Sequence, residues 1–559
     1  MTYNRINNLV GWLVFIIAAF VYVSTMEPTA SFWDCGEFIS TSYKLMVPHP
    51  PGAPIFLLVG RFFSLFASDP MHVAYCVNLV SALSSAFTVL FLFWSITMIG
   101  KKLAMNQDGF FTAGQIISVM GAGVVGSLAY TFSDSAWFSA VEAEVYAMSS
   151  FFTAIVFWAI LKWEAHSDED ASERWLIFIA YLVGLSIGVH LLNLTAIPAL
   201  AFVYYFKKYD KIDLKGSFIT LIISVILLGV VMVGIIPGLP SIASQFELFF
   251  VNTMGFGFGT GVLVFMLVLI GGLSYAVYYS HKTGKRLLNT SLLALGFILI
   301  GYFSYGIIVI RSQFNPPIDM NDPENVMTFT SYLKREQYGD RPLLKGPKFT
   351  ADRPNYVKTS PVYTPVKDAK GKDKYIISDY KVEAEYKEKD KTLFPRMYSQ
   401  QPGHPEQYRS WMGFSKSHVP TFGENISFMF TYQMGHMYWR YFLWNFAGRM
   451  GDEQDSAWMG PNNWFSLDAT TSLFASKARN NFFMLPLIAG LLGLSFQAKR
   501  DWKNGTIVGM LFFFTGLAII LYLNQPPTEP RERDYTFAAS FYAFSIWIGL
   551  SVMFLTDFF

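Results

Sequence analysis

The chain is poor in charge. Asp, Glu, Lys and Arg make up only 15% of its 559 residues, against about 25% in an ordinary soluble chain. A soluble protein of this length could not cover its apolar surface with so few charges, which excludes a single water-soluble enzyme. There are two cysteines, so a disulfide scaffold is excluded. The eight histidines and two cysteines show no zinc-site spacing, and no metal ligand set is assigned. A net charge of +2 gives no reason to expect a nucleic-acid partner. There is no repeat of helical-array period. Disorder and a coiled coil are excluded as well.

What is abundant is apolar and aromatic. The apolar set fills 53% of the chain, with 54 Phe, 30 Tyr and 14 Trp. Lipid tolerates that load, with Phe facing the acyl chains and Trp and Tyr at the interfaces. A spanning helix needs about 20 mostly apolar residues. Candidates fall at 9–25, 73–99, 112–131, 144–161, 175–190, 191–206, 217–237, 260–280, 287–310, 482–497, 505–523 and 537–556. The predicted fold class is therefore an all-α polytopic membrane protein of about twelve transmembrane helices. Segment 52–67 is too short to span comfortably and carries Arg61, so it reads as an interfacial or re-entrant helix.

Orientation follows from the basic residues. With a cytoplasmic N-terminus, the cytoplasmic side receives Arg5, Lys101, Lys102, Lys162, Arg174, Lys207, Lys208, Lys211, Lys215, Lys282, Lys285, Arg286, Lys499, Arg500 and Lys503. The short outer connections receive only Lys44, Arg61, Arg531 and Arg533. No small-residue cleavage site precedes Pro28, so the first apolar stretch reads as an uncleaved anchor. The threading divides the chain into an N-terminal transmembrane core 1–310 with outer loops 26–72 and 132–143, an outer insert or lid 311–481, and C-terminal spans 482–559. The insert is rich in Pro, Lys, Asp and Tyr, and its 373–388 part alternates like short strands, so a small mixed α/β or partly irregular unit is expected there.

Charges beside a membrane are costly, so their placement is informative. In the first outer loop Asp34 and Glu37 are three apart, a spacing that puts both on one helix face. Trp33 flanks them, and His49 sits in the stiff run Val47-Pro48-His49-Pro50-Pro51-Gly52-Ala53-Pro54. A capped helix followed by a rigid loop would explain the same residues. The acidic, aromatic-flanked position just beyond the first span favours a functional pair. The second outer loop carries Asp134, Glu142, Glu144 and Tyr146 with no Lys or Arg. Glu142 and Glu144, two apart, cannot share a helix face, so at most one is expected to point into a shared cavity. The alternative is an acidic N-terminus on the next span, favoured by the helix dipole.

Cations for an anionic ligand come from elsewhere. They are Arg311 after the ninth span and Arg531 and Arg533 in the last outer loop, with His190 and Asn193 between the fifth and sixth spans. Arg grips phosphate bidentately, and phosphate at a membrane surface implies a lipid phosphate. Snorkelling with pairing to Glu532 and Asp534 is the competing reading. Stretch 428–447 mixes Trp, Tyr, His436, Arg440 and Asn445, which fits an amphipathic interfacial helix or a further pass. Cys35 and Cys76 both fall near the outer side, where a disulfide or two free thiols are equally allowed.

These residues resemble a known family. An early acidic outer loop followed by many spans is similar to the GT-C glycosyltransferases. The run WDCGEFISTSYKLMVPHPPGAPIFLLVGRFF resembles the D-x-G-E…HPPG-x-P pattern of the protein O-mannosyltransferase-like family, whose bacterial members were long known only as a domain of unknown function. AEVYAMSSFF, GVHLLNLTAIPA and NQPPTEPRERDYTF resemble the same family more weakly. The resemblance implies a GT-C-like fold in the cytoplasmic (inner) membrane with its active site on the periplasmic side. It implies inverting transfer of a sugar, mannose in this family, from a polyprenyl-phosphate donor to Ser or Thr hydroxyls of exported proteins. By motif, Asp34 is the general base and Glu37 its neighbour. The scheme requires no cofactor beyond the lipid-linked donor, and a divalent metal remains compatible with the acidic cavity. Membrane lipid is the other expected partner. Bacterial members often continue into a C-terminal soluble region, whereas this chain stops at Phe559 after its last span. A truncated form, a fragment and a compact member are the three expectations that follow.

Two other functions fit a membrane protein of this kind. A transporter or flippase places ionisable groups near mid-membrane and shows duplicated halves. Here the notable charges lie in outer loops and no half is duplicated. A GT-C enzyme with a lipid or glycan acceptor would share every feature read above.

Overall fold

The computed structural model describes residues 2–104, 111–339, 341–465 and 476–558. Part of the expected insert, 466–475, lies outside the described residues. Among the described residues, nine helices are long and apolar enough to cross a membrane. They are Tyr3–Thr25, Pro70–Ala104, Ala113–Thr131, Val145–His166, Leu214–Thr253, Thr260–Lys282, Arg286–Ser312, Trp502–Leu523 and Asp534–Asp557. The other three expected spans are helical but short: Glu173–Ile187, Ile197–Lys208 and Leu485–Arg500. At 1.5 Å per residue a helix of 15 residues reaches about 22 Å, short of the roughly 30 Å hydrocarbon layer. The turn that replaces helix between the first two, Leu191–Ala196, buries Asn193, Leu194 and Ala196 against protein. Irregular backbone at that depth is tolerated only under such cover. Segment 52–67 contains the short apolar helix Pro54–Ser64, as its length suggested.

Small residues set the helix contacts, as expected where lipid supplies no hydrophobic drive between helices. A Cβ on Gly184 would overlap the Ile298 backbone, one on Gly301 that of Gly184, and one on Gly493 the Trp547 carbonyl. The basic ends of the helices meet at one end of the bundle. Lys102 lies 2.6 Å from Glu164, Lys207 lies 2.8 Å from Asp168, and Arg500 pairs with Asp557. The opposite end carries the loops between helices and the insert.

The helix Leu214–Thr253 is 40 residues long, about 60 Å, too long for one bilayer crossing unless it projects beyond it. Its far end holds the insert. The Asn252 side chain donates to the Tyr375 carbonyl and accepts from the Tyr375 N–H, both at 2.8 Å. Tyr375 belongs to an antiparallel hairpin, Asn355–Lys367 with Asp373–Glu385, whose second strand is the alternating segment read from sequence.

The aromatic stretch 428–447 is not a further pass. Helical segments Phe422–Phe428, Met429–Trp439 and Arg440–Phe446 run on from one another, and Tyr432, Gln433, Tyr438, Tyr441 and Trp444 are buried in protein. Asn425 near its start binds the Arg396 backbone, and Asn445 near its end binds Ser135. Both ends sit at the loop-bearing end of the bundle, so the stretch does not cross it. The polar residues that looked like interruptions are satisfied internally. Arg440 pairs with Glu532, His436 with Asp455 and Asn445 with Ser135.

Candidate functional site

The first loop is shaped by its own residues. Asn78 donates to the carbonyls of Glu27 and Thr29 at 2.6 and 3.0 Å, and the Glu27 N–H donates to Val141, tying this loop to the second. Trp33 then adopts φ of 63°, a left-handed conformation rare for a bulky residue and costing about 1–3 kcal/mol. Helix Cys35–Lys44 starts directly after Asp34, whose carboxylate makes no capping bond. The helix ends at Leu45, where φ is 47°. The proline run follows, with a cis Pro50–Pro51 bond and a turn closed from the Gly52 N–H to the His49 carbonyl at 3.0 Å. Gly52 sits at φ of +95° against the Tyr332 ring, and a side chain there would strike the hydroxyl that donates to the Pro48 carbonyl at 2.6 Å. That turn aims His49 back at the helix.

Glu37 receives His49 on both oxygens. The His49 N–H donates to Oε1 at 2.7 Å and Nδ1 lies 2.6 Å from Oε2. Burial pushes the Glu37 carboxyl up, but the His49 hydrogen bonds and charge outweigh it and hold it below its ordinary value. Burial pulls His49 down, and Glu37, with help from Asp34, raises it above its ordinary value. Each shift favours the charged form of its group, and Phe38 packs against the imidazole at 5.5 Å. Asp34, Glu37 and His49 each bring a ligand atom within 4.8 Å of the others. These three are the residues that could hold a cation, although both Glu37 oxygens are already engaged.

Arg531 is the centre of the second half. Its Nη2 lies 3.1 Å from Glu144 Oε1 and 3.5 Å from Asp34 Oδ2, and it donates to the Tyr146 hydroxyl at 3.4 Å. Its guanidinium faces the rings of Tyr535, Trp33 and Tyr146 at 4.8, 5.8 and 5.8 Å. Tyr146 and Tyr535 stack at 3.9 Å. Glu144 is fully buried, Arg531 nearly so, while the Asp34 side chain is 45% exposed. Asp34 is therefore the carboxylate a substrate can reach. Burial opposes the Arg531 charge, but Tyr535, Glu144 and Tyr146 outweigh it and hold the guanidinium above its ordinary value. Burial, opposed by Arg531 and reinforced by Asp34 and Glu142, pushes the Glu144 carboxyl up to about 8. Its Oε2 is buried with no hydrogen-bond partner.

Glu142 also joins this group, against the expectation that only one of the two glutamates would. Its side chain is buried, hydrogen-bonded to Ser31 and Cys35, and feels Arg531; burial raises its carboxyl above the ordinary value. Neither residue is inside a helix, so helical spacing does not separate them. Glu144 has extended backbone before helix Val145–His166, and its N–H turns back to the Glu142 carbonyl at 2.8 Å.

Of the remaining expected residues, His190 and Asn193 lie behind the Tyr146 and Tyr535 wall, and Arg533 and Arg311 are engaged elsewhere. His190 packs edge-on to Tyr146 at 5.5 Å, and its Nδ1 accepts from the Leu192 N–H. Asn193 accepts from Ser149 at 2.5 Å and Thr153 at 3.2 Å, and lines a cavity of about 20 Å³ with Tyr146 and Tyr535. Arg533 pairs with Glu529 at 2.6 Å rather than with its sequence neighbours. Arg311 is bound to the carbonyls of Leu45 and Lys44, at the far end of the helix that Asp34 begins. Cys35 is buried and Cys76 partly so, and both are free thiols.

Sequence reasoning missed two contributors. Tyr535 completes the aromatic wall around Arg531; its place two residues before the final span's apolar run was the available signal. The triad Arg440, Tyr441 and Glu532 holds the last loop in place, with Arg440 Nη2 2.8 Å and the Tyr441 hydroxyl 2.5 Å from Glu532. Nothing local links residues so far apart in the chain.

Residues 34–213 match the sequence family described as the protein O-mannosyl-transferase TMEM260 N-terminal domain. Residues 339–430 match a family of unknown function. Among curated proteins, the chain is similar to protein O-mannosyl-transferase tmem260 of Dictyostelium discoideum, 24% identical over 212 residues, covering 36% of this chain and 24% of that protein. It is also similar to protein O-mannosyl-transferase TMEM260 of Mus musculus, 27% identical over 175 residues, covering 31% of this chain and 22% of that protein. The chain thus spans about a quarter of the length of the curated relatives it matches. No solved structure matches it. The likeness read from the first outer loop to a protein O-mannosyltransferase-like family therefore holds, and the matched segment begins at Asp34.

Proposed function

We propose that the chain is an inverting GT-C glycosyltransferase that moves a sugar, mannose by family likeness, from a polyprenyl phosphate to Ser or Thr hydroxyls of exported proteins. The observation that carries this reading is a reachable carboxylate, Asp34, 3.5 Å from a buried guanidinium, Arg531. That carboxylate opens the segment matching the mannosyl-transferase family. In this scheme the acceptor oxygen attacks the anomeric carbon and its proton passes to Asp34. The bond from that carbon to the phosphate oxygen breaks, and the electron pair leaves with the lipid phosphate. Arg531 receives the developing charge on that phosphate. The phosphate draws Arg531 away from Asp34, which frees the base as the donor arrives. Burial pushes the Glu144 carboxyl up, which weakens its competition with the donor phosphate for the Arg531 charge. The Glu37–His49 pair holds the start of the helix and the proline turn in register beside Asp34.

One displacement needs one base and a stabilised leaving group, in contrast to the two-carboxylate hydrolytic arrangement. The Lys and Arg bias supports a cytoplasmic N-terminus and a periplasmic site in the cytoplasmic membrane. The test is to supply membranes containing the chain with radiolabelled polyprenyl-phosphate mannose and exported protein, then separate protein from lipid. Label should enter protein and be released by β-elimination. Asp34→Asn should lower the rate by about a hundredfold or more. Label confined to lipid would reject the protein acceptor, and unchanged transfer by Asp34→Asn would reject the base.

A further inference from the structure

A second polar cavity opens at the other end of helix Cys35–Lys44. Its volume is about 470 Å³ and it is lined by Tyr43, Lys44, Leu45, Arg61, Ser64, Leu65, Ala67 and Arg311. That size falls within the range of small-molecule sites. Three of the lining residues are cations and none is acidic. Lys44, Arg61 and Arg311 form no ion pair among the described residues, whereas Arg440, Arg531 and Arg533 all do. The partners these three cations do have are neutral, namely carbonyls and the Tyr43 and Phe314 rings, so a cavity ringed by charge of one sign is left to attract an anion.

The two arginines are pre-set rather than loose. Arg61 donates to the Tyr43 carbonyl at 2.5 Å and packs over the Tyr43 ring. Arg311 donates through Nε to the Leu45 carbonyl at 2.6 Å and through Nη2 to the Lys44 carbonyl at 3.3 Å. Each keeps further N–H groups of its fork for a ligand. Lys44 is exposed, with its ammonium 4.4 Å from the centre of the Tyr43 ring. Beside the cavity, helix Pro54–Ser64 and the turn after it expose Phe62, Leu65 and Phe66 at 58, 62 and 68%. A row of exposed apolar side chains next to fixed cations fits a ligand with an anionic head and an apolar tail.

We propose that this cavity binds the phosphate headgroup of a lipid, at a site separate from the Arg531 centre. Arg61 and Arg311 hold the phosphate oxygens, Lys44 adds the third charge, and the apolar flank of Phe62, Leu65 and Phe66 carries the tail. Helix Cys35–Lys44 has 10 residues, so the two anion sites stand about 15 Å apart along it. The inference does not depend on the transfer reaction.

The full chain is purified in neutral detergent and titrated with farnesyl phosphate, the bound lipids being counted by native mass spectrometry. Lys44→Gln, which removes no structural hydrogen bond, and the double variant Arg61→Gln with Arg311→Gln should each weaken one bound equivalent about tenfold or more. Arg531→Gln should leave that equivalent in place, so failure of the Arg531 assignment is read separately. Farnesol should not bind there, and inorganic phosphate at equal concentration should not displace the lipid. Unchanged affinity in both variants would overturn the proposal. So would equal binding of farnesol, which would make the site merely apolar, or equal competition by inorganic phosphate, which would remove the lipid.

Discussion

Glu144 gives the sharpest test of the buried centre. The contest is between burial, which favours a protonated carboxyl, and Arg531 at 3.1 Å, which favours an ionised one. Burial prevails because Glu144 has no exposed side-chain surface and one oxygen without a partner. Burial thus pushes the folded carboxyl up to about 8 from an ordinary 4.5. Between those values the folded chain holds a proton that the unfolded chain has released. Stability therefore falls as pH rises across that window, by about 1.4 kcal/mol per pH unit from this one group. The sum is on the order of a few kcal/mol by pH 8. Glu144→Gln keeps the shape and cannot titrate, so it removes that slope. Unfolding of wild type and Glu144→Gln in detergent, measured at pH 5, 6, 7 and 8, should show the variant gaining on the wild type by roughly 1 kcal/mol or more at each step. A difference that stays flat would refute the burial argument. A flat difference is also what a Glu144 ionised beside Arg531 would give, since folded and unfolded chains would then both be deprotonated across the whole range.

Arg531→Ala should cut transfer by roughly a hundredfold or more and impair donor use above acceptor use. Arg533→Ala should do less, because Arg533 is occupied by Glu529; equal losses measured by varying donor and acceptor separately would remove the distinction. For His49→Gln the stability lost depends on pH in a defined window. Glu37 lies below its ordinary 4.5, so its share of the pair is lost as pH falls below that value. His49 lies above its ordinary 6.5, so its share is complete below 6.5 and fades as pH rises through the raised value. The gap between wild type and variant in a melting series should be widest from about pH 4.5 to 6.5, and a gap that widens above pH 8 would contradict the ion pair. Gly184→Val should cost about 1–3 kcal/mol by driving two helices apart at Ile298, and an unaltered melting curve would show that the contact can relax.

How far the site was legible depends on how local each part is. Asp34, Glu37 and His49 lie within one short stretch, and a stiff proline run beside a three-residue carboxylate spacing was enough to draw them together. Their link to Arg531 joins positions nearly 500 residues apart, and no periodicity reports such a pairing. The same holds for Glu142 and Glu144. A helical rule separated them, but an extended bend before helix Val145–His166 brings both inward. Arg311 illustrates the opposite error. Its charge suggested the donor site, but the Leu45 and Lys44 carbonyls draw it to the other end of helix Cys35–Lys44.

The sequence by itself determined that the chain belongs in lipid, where its helices run, and which end of the bundle gathers the basic residues. Those are consequences of hydropathy and charge, which act residue by residue along the chain. The three short helices, the burial of stretch 428–447 and the meeting of Asp34 with Arg531 were decided by tertiary structure. Each depends on which polar groups find partners across the bundle, as when Glu532 takes Arg440 and so leaves Arg531 to Asp34 and Glu144. In a medium that cannot solvate an orphaned charge, that choice of partners fixes where the reactive groups stand.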